Sequence, residues 1–203
     1  MIYFLLDNKS LSVYTESSNK QSLSLAFKTK LHLTVSSTIN NSKKLNSIIA
    51  RALDEISEEI DLTNNLASII LDDSLLSHSI IVGSKRYEDI DKQIREESSL
   101  KWGNKVSNYY FISEEKKTPK NIFHSVAIHH FLREKIKLNF NNFGLSIKYI
   151  VPLSSILTSS LKPSQFSVIK NGKKYQFFGN TKKGFMYFKL NFSGSKKIEE
   201  KII

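Results

Sequence analysis

Between Ser68 and Val151 the chain alternates strand-like and helix-like patterns in an order that needs a sheet with helices packed against it. Ser68-Ile-Ile-Leu71 continuing through Ser79-Ile-Ile-Val82 reads as one apolar, strand-like run. A charged helical segment follows, from about Tyr87 to Lys101. Asn108 to Ile112 and Ile122 to Ile128 are strand candidates separated by a turn carrying lysines and Pro119. A periodic helix from about His129 to Phe143 puts Ile128, Phe131, Leu132, Ile136, Phe140 and Phe143 on one face, with Lys135, Lys137 and Asn141 outward. Gly144 ends it, because glycine tolerates the positive φ of a helix C-terminus. A strand from Leu145 to Val151 closes a βαββαβ unit.

The flanks are predicted to be strand meanders. Ile2 to Leu6, then Leu11, Val13 and Thr15, then Leu23, Leu25, Phe27, Leu31, Leu33 and Val35 alternate with period two, as a sheet with one buried face requires. The helix over about Ser42 to Ile56 carries Leu45, Ile48, Ile49, Ala52, Leu53 and Ile56 on one face and is expected to cover that sheet. After Val151-Pro152 a short helix, Leu153 to Leu161, leads to a second meander. There Phe166 to Lys170, a tight Asn171-Gly172 turn and Tyr175 to Phe178 form a hairpin, followed by a strand from Phe185 to Phe192. The division expected is 1–67, 68–151 and 152–203.

Composition narrows the chemistry. Without cysteine, disulfides, thiolate chemistry and cysteine-based zinc sites are excluded. The net charge of +11 comes mostly from lysine, spread along the chain and in places paired, as at Lys43-Lys44 and Lys182-Lys183. It suits a solvated lysine surface, anionic lipid or nucleic acid alike. No run reaches the ~20 apolar residues of a membrane span, and the start lacks signal-peptide features, so the expectation is a cytosolic protein.

The candidate chemical groups do not assemble into a site by spacing. His129-His130 are adjacent on a helix, about 100° apart, and His32, His78 and His124 have no ligand spacing. Asp72-Asp73 and Glu96-Glu97 are neighbouring carboxylates with nothing to make them face each other. Ser154-Ser155 and Ser159-Ser160 lack nucleophile-elbow glycines, and with seven glycines there is no phosphate-binding fingerprint. The aromatic and lysine residues around Tyr175-Phe177-Phe178 and Phe185-Tyr187-Phe188 would suit base stacking, or a core face backed by a lysine face.

The central passage resembles a known family. A strand ending Leu71-Asp-Asp-Ser-Leu-Leu-Ser-His-Ser-Ile-Ile-Val82 precedes Asp89-Ile-Asp-Lys-Gln-Ile-Arg-Glu-Glu-Ser-Ser-Leu-Lys-Trp102. Tyr109-Tyr-Phe-Ile112, Val126-Ala-Ile128, a helix to Phe143, Gly144-Leu-Ser-Ile147 and the Leu153-Ser-Ser-Ile-Leu157 helix follow. This is similar to the inserted subdomain of the PilM family of type IV pilus assembly proteins and of the cytoplasmic part of the GspL family of type II secretion. The resemblance implies an actin-like (ASKHA, RNase H-like) fold, with the βαββαβ subdomain inserted in the first half and a truncated second half.

It also implies a function. ATP-binding members carry an Asp-x-Gly turn after the first strand, where this chain has Asp7-Asn8-Lys9-Ser10 without glycine; the second turn, Lys170-Asn171-Gly172, has no Asp. The expectation is therefore a non-catalytic cytosolic scaffold, peripheral at the inner face of the cytoplasmic membrane, with no cofactor. Its partner would be an inner-membrane assembly protein offering a short cytosolic segment, with Trp102, Tyr109 and Phe111 as the partner-binding residues; homo-oligomers are also compatible. The alternatives are a basic nucleic-acid-binding protein with an RNase H-like sheet, for which only Asp7 stands at an expected strand end, and an actin-like ATPase using ATP and Mg.

Overall fold

The computed structural model describes residues 1–16, 22–33, 39, 41–83, 92–93, 95–96, 113–114, 121–159, 161–162, 164–171, 174–181 and 184–191. Its first sheet starts with the N-terminal meander, β1 (Ile2–Leu6), β2 (Ser10–Glu16) and β3 (Leu23–Lys30). Helix α1 (Ser42–Ser57) leads to β4 (Leu66–Leu71), and β8 (Ser146–Pro152) completes the order β3-β2-β1-β4-β8. The sheet is mixed: β1 is antiparallel to β2 and parallel to β4, which is parallel to β8.

Ile2, Phe4 and Leu6 of β1 face the helix layer and join one core with Leu45, Ile49, Leu53 and Ile56 of α1. The second helix, α2 (His130–Asn142), adds Leu132, Ile136 and Phe140; the Phe140 ring meets Phe4 edge-on at 4.8 Å. The predicted faces of both helices are the packed ones, with Ile48, Phe131 and Phe143 at their partly buried margins. Asn41 caps α1 by accepting from the Lys44 amide, and His129 caps α2 by accepting from the Phe131 amide. Gly144 follows α2 at φ +75°, where its carbonyl accepts from Asn64 N and ties the turn to the entry of β4.

Within the stretch from Ser68 to Val151 two sheets are involved. The apolar run predicted as one strand is two: β4 stops at Leu71, a 3-10 turn at Asp73–Leu75 redirects the backbone, and β5 (Leu76–Gly83) starts a second sheet. That sheet has the order β5-β7-β6, with β7 at Asn121–Ile128 and β6 at Ser113–Glu114. The end strands of the stretch, β4 and β8, belong to the first sheet, so the second hangs between them. The Tyr87 to Lys101 helix lies mostly outside the described residues, which show residues 92–93 and 95–96 as helical, and the Asn108 to Ile112 strand lies entirely outside them.

A phase error in β3 is also corrected. Leu23 and Leu25 are expected on the buried face, yet both are about half exposed. A bulge explains this: Val13 pairs with Phe27 and Tyr14 with Leu25, so Ala26 is an extra residue. One extra residue moves every side chain beyond it to the other face. Val35 lies outside the described residues. A short helix, α3 (Leu153–Ser159), leads into the antiparallel C-terminal sheet β9 (Gln165–Asn171), β10 (Lys174–Thr181) and β11 (Gly184–Asn191).

Candidate functional site

The carboxyl ends of β1, β4 and β8 are neighbours, and in open α/β sheets such ends are where ligands bind. Asp7 follows β1, Asp72 and Asp73 follow β4, and Ser154 follows β8. The expectation that only Asp7 would occupy a strand end is corrected: Asp72 stands beside it, its amide donating to the Leu6 carbonyl at 2.9 Å.

Asp7 closes its own turn. Its Oδ1 accepts from the amides of Lys9 (2.5 Å) and Ser10 (2.8 Å), and its Oδ2 accepts from Ser10 Oγ (2.8 Å). The Lys9 and Asn8 carbonyls accept from the amides of Leu31 and Leu33, fastening the chain beyond β3 to this turn. In a turn that cradles a phosphate, successive amides point at the anion. Here the Lys9 and Ser10 amides are satisfied by the carboxylate.

Asp72 and Asp73 point to different partners. Asp72 caps the 3-10 turn by accepting from the Ser74 amide (2.8 Å), and receives Gln176 Nε2 from β10 at 3.3 and 3.4 Å. Asp73 is fully buried. It accepts from Ser154 N (2.8 Å) and Ser154 Oγ (2.5 Å), while His78 Nε2 on β5 lies 3.0 Å away, at ion-pair distance but off hydrogen-bond alignment. Ser154, His78 and Asp73 do not form a nucleophile relay, because serine and histidine both address the carboxylate instead of each other. The cluster ties β4, β5, α3 and β10 at one point.

Among the described residues no group of three histidine or acidic side chains could hold a metal. His129 is buried as a helix cap, and His130 pairs with Glu134 on the surface at 3.1 Å. The expected Asp7-to-Ser10 turn thus lies at the strand ends beside Asp72 and Asp73, a pair that spacing alone did not place in a site. Trp102, Tyr109 and Phe111 lie outside the described residues. The roles of His78, Ser154 and Gln176 escape sequence reasoning; the available signal was two acidic residues embedded in an apolar run, which must find donors if buried.

No protein-family model and no curated protein sequence matches the chain. Among solved structures it aligns with the cytoplasmic domain of EpsL, an inner-membrane component of the type II secretion system of Vibrio cholerae, at TM-score 0.53 and 9% identity, covering 92% of this chain and 69% of that one. A Bacteroides thetaiotaomicron protein of unknown function with an actin-like ATPase fold aligns at TM-score 0.50 and 10% identity, covering 95% of this chain and 70% of that one. The fold is actin-like. The PilM-PilN type IV pilus biogenesis complex is a third match, at TM-score 0.52 and 9% identity, over 95% of this chain but 62% of that one. At these identities the likeness concerns the fold. In this chain the Asp7 turn and the ends of β1, β4 and β8 lie side by side, and Gln176 of β10 donates to Asp72 there.

Proposed function

We propose that the protein is a non-catalytic scaffold of an inner-membrane assembly platform of the type IV pilus or type II secretion kind, recruited by a short segment of a membrane partner. The carrying observation is the Asp7 turn, whose carboxylate occupies the Lys9 and Ser10 amides that a nucleotide phosphate would use. A second carboxylate, Asp72, stands at the adjacent strand end and would repel phosphate further. The likeness to an inner-membrane secretion component and to PilM in complex with PilN supplies the class of assembly.

In this reading the protein acts at the inner face of the cytoplasmic membrane; none of its described helices is long and apolar enough to cross one. Residues 1–67 and 152–203 form the two actin-like parts, 68–151 the interaction unit, and Trp102, Tyr109 and Phe111 contribute to partner binding. Affinity capture from detergent-solubilised membranes of the native host tests this. Recovery of an inner-membrane protein, lost on Trp102→Ala, is expected. Recovery of a soluble complex alone overturns the reading. So does thermal stabilisation of several degrees by ATP and Mg, because a ligand bound only by the native state raises its stability.

A further inference from the structure

Strand β8 is the last of its sheet: one edge pairs with β4, and the other pairs with no strand among the described residues. Such an edge carries backbone N–H and C=O groups able to accept another strand. It borders a groove of about 430 Å³ lined by Ile147, Lys148, Tyr149, Ile150 and Val151, with Lys137 and Asn141 of α2 opposite. Ile147 and Ile150 are half-buried and pack against the core, giving an apolar floor, while Tyr149 is 54% exposed. The two charged residues of the lining, Lys137 and Lys148, are both cationic.

Lys148 has a particular place in the strand. Ala67 pairs with Ile147 and Ser68 with Tyr149, so Lys148 is a bulged residue opposite nothing in β4. Its Nζ lies 5.2 Å from the centre of the Tyr149 ring, a cation above an aromatic surface at the groove. A lysine at a bulged edge discourages the edge from pairing with its own kind. A second copy on β8 would bring lysine-bearing edges together between chains of charge +11, and like charges facing across strands are destabilising. An acidic segment meets the opposite balance.

We infer that the β8 edge docks an extended acidic segment of a partner protein, which adds a strand to the sheet. Main-chain hydrogen bonds to β8 supply its register, alternate apolar side chains lie on Ile147 and Ile150, and carboxylates meet Lys137 and Lys148. The inference rests on the scaffold reading only for the source of the segment. The site itself is separate from Trp102, Tyr109 and Phe111.

The test is an amide NMR titration of the full chain with two capped octapeptides, one alternating valine and glutamate and the other valine and lysine. The acidic peptide is expected to shift the amides of residues 146–151 and to bind at least about tenfold more tightly than the basic one, with a preference that salt weakens. Lys148→Glu, an exposed change that leaves the core intact, is expected to weaken the acidic peptide by about two- to fivefold, the scale of exposed charge pairs. Equal binding of both peptides, or shifts that avoid β8, overturns the inference. Shifts of the β8 amides with protein concentration in the absence of peptide also overturn it, since the occupant is then a second copy. If Lys148→Glu leaves membrane-partner capture untouched and the peptide misses β8, the edge assignment falls while the scaffold reading stands. If the acidic peptide docks on β8 and no membrane partner is captured, the reverse holds.

Discussion

Replacing Asp73 by alanine removes the acceptor through which the start of the β5 sheet is fastened to the start of α3. Its carboxylate takes two hydrogen bonds from Ser154, one from the amide and one from the hydroxyl, and it is fully buried. Hydrogen bonds to a charged group contribute about 1.5–3 kcal/mol each, and a buried donor left alone costs its desolvation as well. Two such bonds give about 3–6 kcal/mol. The Ser154 hydroxyl can rotate towards another acceptor, whereas its amide cannot, so the expected loss is about 3–4 kcal/mol. Against a total stability of about 5–15 kcal/mol, that is a large fraction. Urea denaturation should show a lowered midpoint at unchanged slope, and the melting temperature should fall by roughly 6–16 °C, taking about 2–4 °C per kcal/mol at this chain length. A double-mutant cycle with Ser154→Ala should return a coupling above about 1 kcal/mol, since both changes remove the bond from the Ser154 hydroxyl. A loss under about 1 kcal/mol for Asp73→Ala, or additivity of the two changes within about 0.5 kcal/mol, refutes the assignment of Asp73 as the hub.

Phe140→Ala should cost about 3–5 kcal/mol in urea denaturation, because the ring is buried against Phe4 and its removal leaves a cavity between α2 and the sheet. Gly144→Ala should cost about 1–2 kcal/mol: its φ of +75° strains an L-residue, and the added Cβ would lie 3.3 Å from Thr63 Cα. Asp61 accepts from the hydroxyl and the amide of Thr63, in that order of effect, and both hold its carboxyl below its usual range. A depressed folded value means stability present above the unfolded value, near pH 4, and lost as pH falls through the folded one. Asp61→Ala should therefore lower the urea midpoint at pH 7 and lower it less at pH 2.

The helices were legible in the sequence because their faces repeat every three to four residues, and the end of α2 carries a local signal in Gly144. The C-terminal hairpin was legible for the same kind of reason, with Asn171-Gly172 between two apolar runs. Where the reading slipped, the deciding contact was distant or the pattern was broken by a single residue. Ala26 keeps the alternation of β3 intact on paper while its bulge turns Leu23 and Leu25 outward. The run from Ser68 to Val82 reads as one strand because apolar residues lie on both sides of Asp72 and Asp73, and the 3-10 turn that divides it depends on bonds those two carboxylates make elsewhere.

Those two acidic residues show why a site of this kind resists sequence reasoning. Buried carboxylates need donors. The donors for Asp73 are on Ser154, 81 residues away, and the Asp72 partner is Gln176, 104 residues away. No spacing rule links such positions; only the actin-like arrangement, which returns the chain to the carboxyl ends of β1, β4 and β8, brings them together. The same convergence determines what the strand ends can do. In a phosphate-binding turn at such strand ends, amides and hydroxyls would face an external anion. Here the Asp7 carboxylate takes the donors of its own turn, and Asp73 and Asp72 take those of Ser154 and Gln176, so the groups at the strand ends fasten α3 and β10 to the end of β4. Of the two edges that this sheet leaves unpaired among the described residues, β3 and β8, it is β8 that borders the groove carrying Lys137 and Lys148.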